Sequence, residues 1–273
     1  LSMGLDHEKI VVLAPSGDDR YAKEKEKKEW DAKQPYKIVR RRLLSPKFVW
    51  PRWLRLCREL WRVCKEEEIE LVLVQHVLPV GYAAVFMHRL KGVPFLLFSH
   101  GTDLVVGTAT PWKKKMVHMV SMRAAQIVFN SQSLMARYLK IFPEFEKKSS
   151  VVYPCPAPMF SEPPGEEVRQ KLRTKYGLEG KRSLLTISRI DEGKGFPHLI
   201  KYMPRILEKF PHLVWFIVGT GPKQKEMVKL IQKHNLQNIV RYVAEIPHEE
   251  LHPYYYLTDA FLLLTHPDHR REE

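Results

Sequence analysis

Arg189 and Lys194 stand in one short turn, with Gly193 and Gly195 on either side of the lysine. Fixed cations aimed at developing negative charge lower a barrier without having to move, and a departing phosphate is the natural object of such a pair. The planar guanidinium and the compact ammonium would hold two phosphate groups from two directions. Further on, Gly219-Thr220-Gly221-Pro222 makes a second glycine turn, of the kind that lets backbone amides approach a phosphate. It is not a dinucleotide fingerprint, because Gln224 occupies the third glycine position and no acidic residue closes the next strand. Gly193-Lys194-Gly195 likewise lacks the spacing and the Ser/Thr of a P-loop. Solvated or purely structural turns are the competing reading for both.

These turns need elements to position them. Leu184–Ile187 and Val214–Val218 are short runs rich in β-branched and aromatic residues, as buried parallel strands are. Each glycine turn follows one of them and opens a helix, which puts both turns at strand carboxyl ends, where open α/β sheets bind their ligands. Upstream, strand–helix alternation predicts strands over 70–75, 94–99, 126–130 and 151–153. Helices are expected over 54–64, 81–90, 111–123 and 132–141, the last capped by Ser131. A strand ends at Pro15 and another covers 36–42, while the Lys/Glu-rich 16–35 reads as an exposed loop. Past the second turn, strands over 238–243 and 259–264 flank a helix over 249–256. Pro154, Pro156, Pro158, Pro163 and Pro164 interrupt ladder and helix alike, so the domains are set at 1–157 and 158–273.

The chain has 273 residues, 44% hydrophobic and 28% charged, enough for a core in each of two domains. No apolar run of membrane-spanning length and no cleavable leader pattern is present in it. Cys57, Cys64 and Cys155 make no disulfide framework and no CxxC pair; Cys57 and Cys64 read as small buried hydrophobes. The net charge of +14 is lopsided: residues 1–155 hold 27 Lys and Arg against 16 Asp and Glu, the remainder 18 against 15. That basic first half suggests an acidic surface as partner, such as anionic lipid. Trp50, Trp53 and Trp61 interleaved with Arg52, Arg55 and Arg58 resemble an interfacial basic-aromatic helix, with ordinary core packing as the competitor. No nucleic-acid recognition motif accompanies the charge.

Ser188-Arg189…Lys194-Gly195 and Val218-Gly219-Thr220-Gly221-Pro222 are similar to the G/S-R-x(4–5)-K-G and V-G-x-G-P turns of the retaining glycosyltransferases of the GT-B fold, family four (glycosyl transferases group 1). The resemblance implies two facing Rossmann-like domains with doubly wound parallel sheets, the first incomplete and both ends of the chain absent. It implies transfer of a sugar from a nucleotide-diphosphate donor to a carbohydrate or lipid-linked acceptor, with retention and without a metal or separate cofactor. His100-Gly101, after the strand Phe95–Phe98, matches the family's H-G turn, where the histidine faces the reacting sugar. Arg189, Lys194 and His100 would then be joined by Glu273, matching the first glutamate of E-x7-E, with Glu272 as its alternative. Ser188, Gly195, Gly219, Gly221 and Ile246 would contact the donor, although Ala244 replaces the glycine expected before Ile246. Asp103 takes the place of an acidic residue after the H-G turn, and His266-x-Asp268-His269 reads as a polar loop rather than a metal cluster. The expected location is the cytoplasmic side, peripheral at a membrane. A sugar-nucleotide epimerase of the same architecture and a non-catalytic nucleotide- or carbohydrate-binding fragment are the alternatives.

Overall fold

Every strand pairing among the described residues is parallel, as the short apolar runs separated by helices require. The computed structural model describes residues 6–17, 24–46, 48–101 and 107–265. They divide into two units between Pro154 and Cys155. That lies just ahead of the boundary read at 157, and the turn Pro158–Phe160 is bonded into the second unit: Tyr256 Oη donates to Phe160 O at 2.9 Å.

In the first unit, β1 (Val11–Pro15) pairs with β2 (Lys37–Arg41). Between them lies α1 (Glu24–Asp31), where a loop was expected. Lysine and glutamate are strong helix formers, and tethers supply what apolar periodicity does not. Lys25 and Glu29 pair at 3.8 Å, and Asp31 receives two hydrogen bonds from Arg40 at 2.6 and 2.7 Å. That contact holds the Asp31 carboxyl below its ordinary range.

A loop then leads to α2 (Leu54–Glu66), followed by β3 (Val72–Val74), α3 (Val80–Lys91) and β4 (Phe95–Ser99). The alternation continues through α4 (Pro111–Arg123), β5 (Gln126–Phe129), α5 (Gln132–Ile141) and β6 (Ser149–Val151), and the sheet runs β3-β4-β5-β6. Phe95, Leu97, Ile127 and Phe129 are fully buried against Val117 and Val120 of α4 and Tyr138 of α5. Removing one such side chain from water is worth about 1.5–3 kcal/mol. Ala83 and Met87 on the other flank of α3 meet Leu56, Cys57, Leu60 and Cys64 of α2, so both cysteines are core residues whose thiols burial pushes up. Trp53 and Trp61 pack there too, whereas Trp50 is 88% exposed.

The second unit has α6 (Glu166–Tyr176), β7 (Arg182–Ile187), α7 (Phe196–Lys209), β8 (Leu213–Val218), α8 (Gln224–Lys233), β9 (Val240–Val243), α9 (His252–Leu257) and β10 (Ala260–Phe261). All of β8 is buried, and its alternation splits the core. Trp215 and Ile217 face α7 and α8; Val214, Phe216 and Val218 face α6 and α9. Helices therefore cover both faces, the doubly wound arrangement. Among the described residues, no helix is long and apolar enough to cross a membrane.

Candidate active site

The second sheet runs β10-β7-β8-β9, so the chain reverses direction at β7: β8 and β9 were added on one side, β10 on the other. Such a switch point opens a crevice at the strand carboxyl ends. Ser188, Arg189, Lys194 and Gly195 lie at the end of β7, directly at that point, and Gly219 and Gly221 follow β8 beside it.

Backbone hydrogen bonds clamp the two turns together. Ser188 N donates to Val218 O at 3.1 Å, Ile190 N to Thr220 O at 2.9 Å, and Lys223 N to Ile190 O at 3.1 Å. The crossing is so close that a Cβ on Gly219 would sit 2.0 Å from Ser188 O, and one on Gly221 2.1 Å from Ile190 O. Both positions therefore demand glycine. The backbone groups of Gly219 are both engaged within the unit. Its N–H donates to Val243 O at 3.0 Å and its carbonyl accepts from Tyr242 Oη at 3.0 Å, which fixes the shape of the turn.

Gly195 precedes α7 in the left-handed region (φ 69°), and a Cβ there would meet Leu264 O at 2.2 Å. The segment leaving β10 thus lies on the lysine turn. A buried relay fixes it: Trp215 Nε1 donates to Thr186 Oγ1 at 3.0 Å, and Thr186 Oγ1 donates to Leu262 O at 2.6 Å. At the strand's other end, Asp259 accepts from Ser183 N at 2.6 Å and Ser183 Oγ at 2.9 Å.

Arg189 is about half exposed and donates to Asp191 Oδ2 at 2.5 Å, while Asp191 Oδ1 accepts from Glu192 N at 2.9 Å. A mostly buried carboxylate therefore aims the guanidinium, a contact the sequence reading did not include. Lys223, after the second glycine turn, is paired with Glu226 at 2.9 Å; that bond, with the nearby charges of Glu192 and Asp191, raises its pKa. Ile246 is half-buried and packs against the cluster of Leu185, Phe216 and Tyr254.

His100 follows β4 in the first unit, before Gly101 (φ 102°). Gln75 Oε1 lies 2.9 Å from His100 Nε2, and the His76 ring stands edge-on at 6.5 Å. Both partners follow β3, the neighbouring strand, so three polar side chains share one sheet edge. The expected strand over 70–75 ended at Gln75, which was the available signal for it. Asp103, His266, Asp268, His269, Glu272 and Glu273 lie outside the described residues. Among the described ones, no group of three His, Cys, Asp or Glu side chains is placed to hold a metal ion.

Two family models match the chain in succession. The model for Glycosyltransferase Family 4 matches residues 3–155 and that for Glycosyl transferases group 1 residues 168–269. The chain belongs to glycosyltransferase family 4. Over 202 residues it is 22% identical to the GDP-mannose-dependent alpha-(1-6)-phosphatidylinositol monomannoside mannosyltransferase of Mycolicibacterium smegmatis, covering 74% of this chain and 52% of that protein. It is 31% identical over 94 residues to the 2-deoxystreptamine N-acetyl-D-glucosaminyltransferase of Niallia circulans, covering 34% of this chain and 24% of the relative. The chain thus spans about half the length of the first of these and less of the second. Among solved structures, a glycosyltransferase from Rickettsia africae superposes with a TM-score of 0.73 at 15% identity, covering 94% of this chain and 64% of that one. Anabaena HepE, solved with UDP, gives 0.71 at 14% identity, covering 88% and 64%. These likenesses establish the GT-B class of fold, with two Rossmann-like parts.

Proposed function

We propose that this family 4 chain transfers a sugar from a nucleotide-diphosphate donor to a carbohydrate or lipid-linked acceptor with retention of anomeric configuration. The observation that carries the reading is the pair of interlocked turns at the β7/β10 switch point, with Arg189 and Lys194 on the first of them. HepE, of the same fold, was solved with UDP, which supports a nucleotide diphosphate as the ligand class. In the reaction, the bond from sugar C1 to the donor phosphate oxygen breaks, and a bond from the acceptor oxygen to C1 forms on the same face. The acceptor proton passes to the departing phosphate. Arg189 and Lys194 stabilise the charge that grows there, where losing one preorganised group typically costs about 3–4 kcal/mol. Asp191 holds the guanidinium in place before the donor arrives. Ser188 and Gly195 line the donor turn, Gly219 and Gly221 keep its partner close, and His100, steadied by Gln75, positions and polarises the reacting sugar.

Thermal unfolding of the full chain with uridine, guanosine and adenosine diphosphates and their sugar conjugates tests this. A true donor at a hundred times its dissociation constant adds about 2.7 kcal/mol of stability. The Arg189→Ala/Lys194→Ala variant should lose that gain while unfolding like the parent without ligand. The proposal fails if no nucleotide diphosphate stabilises the chain, or if the double variant binds as the parent does. Isomerised donor in the absence of acceptor would replace transfer with epimerisation.

A further inference from the structure

Between β2 and α2 the chain makes a loop closed at its base by two hydrogen bonds, from Ser45 N to Arg52 O at 2.9 Å and from Arg52 Nε to Ser45 O at 3.0 Å. Ser45 is itself buried, so the base is anchored while the tip projects. On that tip Phe48 and Trp50 are each 88% exposed, and Leu44 and Leu54 at its flanks are exposed by 44% and 48%. Four large apolar side chains displayed within one short stretch are far more than scattered surface hydrophobics.

The surroundings are cationic. On the adjoining α2, Arg55, Arg58 and Arg62 lie 4.0, 2.9 and 3.5 Å from the single carboxylate of Glu59, whose side chain is only 4% exposed. Burial alone would raise the Glu59 pKa, but Arg58, Arg62 and Arg55 together outweigh it and hold the carboxyl below its ordinary value. One buried anion thus organises three guanidinium groups and leaves their cluster positive. Arg55 and Arg58, with Ser45 and Leu54, line an open recess beside the loop.

We infer that this loop and the arginine face of α2 dock the chain on an anionic lipid bilayer. Phe48 and Trp50 would enter the interfacial region, and lipid phosphates would sit against Arg55 and Arg58. Aromatic side chains at headgroup depth beside guanidinium groups are the chemistry of interfacial anchors. A second copy fits less well, since an isologous contact would press the positive face against itself. The inference is independent of the sugar-transfer reading.

The test is co-sedimentation of the full chain with vesicles of phosphatidylcholine alone or with 30% phosphatidylglycerol, at 0.1 and 0.5 M NaCl. The expected result is binding to the anionic vesicles only, weakened by salt. Phe48→Ser/Trp50→Ser should reduce the partition coefficient about tenfold or more. Phe210→Ser, which changes a half-exposed aromatic of the second unit, should leave it unaltered. Circular dichroism and nucleotide-induced stabilisation report whether either variant is folded, separately from lipid binding. Equal binding to neutral vesicles, no binding at low salt, or undiminished binding by the loop variant would overturn the inference. So would a parent that is dimeric in solution and becomes monomeric in the loop variant without ever binding vesicles, or one that retains single-stranded RNA but no vesicles.

Discussion

Replacing Gly195 by alanine separates two costs. The residue sits at φ 69°, where an L side chain loses about 1–2 kcal/mol. The added Cβ would also lie 2.2 Å from Leu264 O and 2.6 Å from Leu264 Cβ, against 3.4 Å or more for ordinary contact. Backbone on one side must therefore retreat by about an ångström, and displacements of that size around a reacting centre cost on the order of a hundredfold in rate. The segment that would move is tied down by Thr186, so the strain falls on the first turn of α7 and on neighbouring Lys194. Gly180→Ala is the control: φ is 64°, but nothing lies within 4 Å of its Cβ, so only the conformational cost applies. Denaturant unfolding should show both variants folded, with Gly180→Ala about 1–2 kcal/mol less stable and Gly195→Ala at least that much. Nucleotide titration should then show affinity unchanged in the control and at least about tenfold weaker in Gly195→Ala. A Gly195→Ala protein with parental affinity and turnover would refute the claim that this contact sets the donor turn.

Thr186→Val keeps the side-chain shape but strands the buried Trp215 N–H and the Leu262 carbonyl. Unfolding in urea should show a loss of about 2–5 kcal/mol, with Thr186→Ser much milder because it keeps the hydroxyl. Asp31 and Glu59 have depressed folded pKa values, so the stability they contribute is present above their unfolded values and is lost as pH falls through the folded ones. Urea midpoints should fall below about pH 4.5, and Glu59→Gln should start lower at pH 7 and lose less on acidification; a parallel decline would reject the role given to Glu59.

Elements whose signals are local were legible in the sequence. The helices over 111–123 and 132–141 begin where Thr110 and Ser131 accept from Lys113 N and Leu134 N, and β7 and β8 follow from short β-branched and aromatic runs. Helix α1 was missed because charge pairs hold it, one of them reaching across to Arg40 on β2, and residue periodicity carries no trace of that. The same limit applied at the site. Arg189, Lys194 and the glycines stand out by type and spacing, but Asp191, Gln75 and the Thr186 relay matter through partners that only the fold brings near. For Gly219 the letter was legible and the crowding around it was not, since a carbonyl 2.0 Å from an absent Cβ appears only in three dimensions.

Lys148 sends its ammonium to the carbonyls of Ser121, Met122 and Ala124, and burial lowers its pKa. A cation is thereby seated where the peptide dipoles of α4 converge, supplied from just ahead of β6. A shortened protein that stops at Pro154 carries this stopper with it. One trimmed back beyond position 148 leaves the end of α4 uncovered, so the turn that leads into the final strand of the first unit also closes a helix two elements earlier.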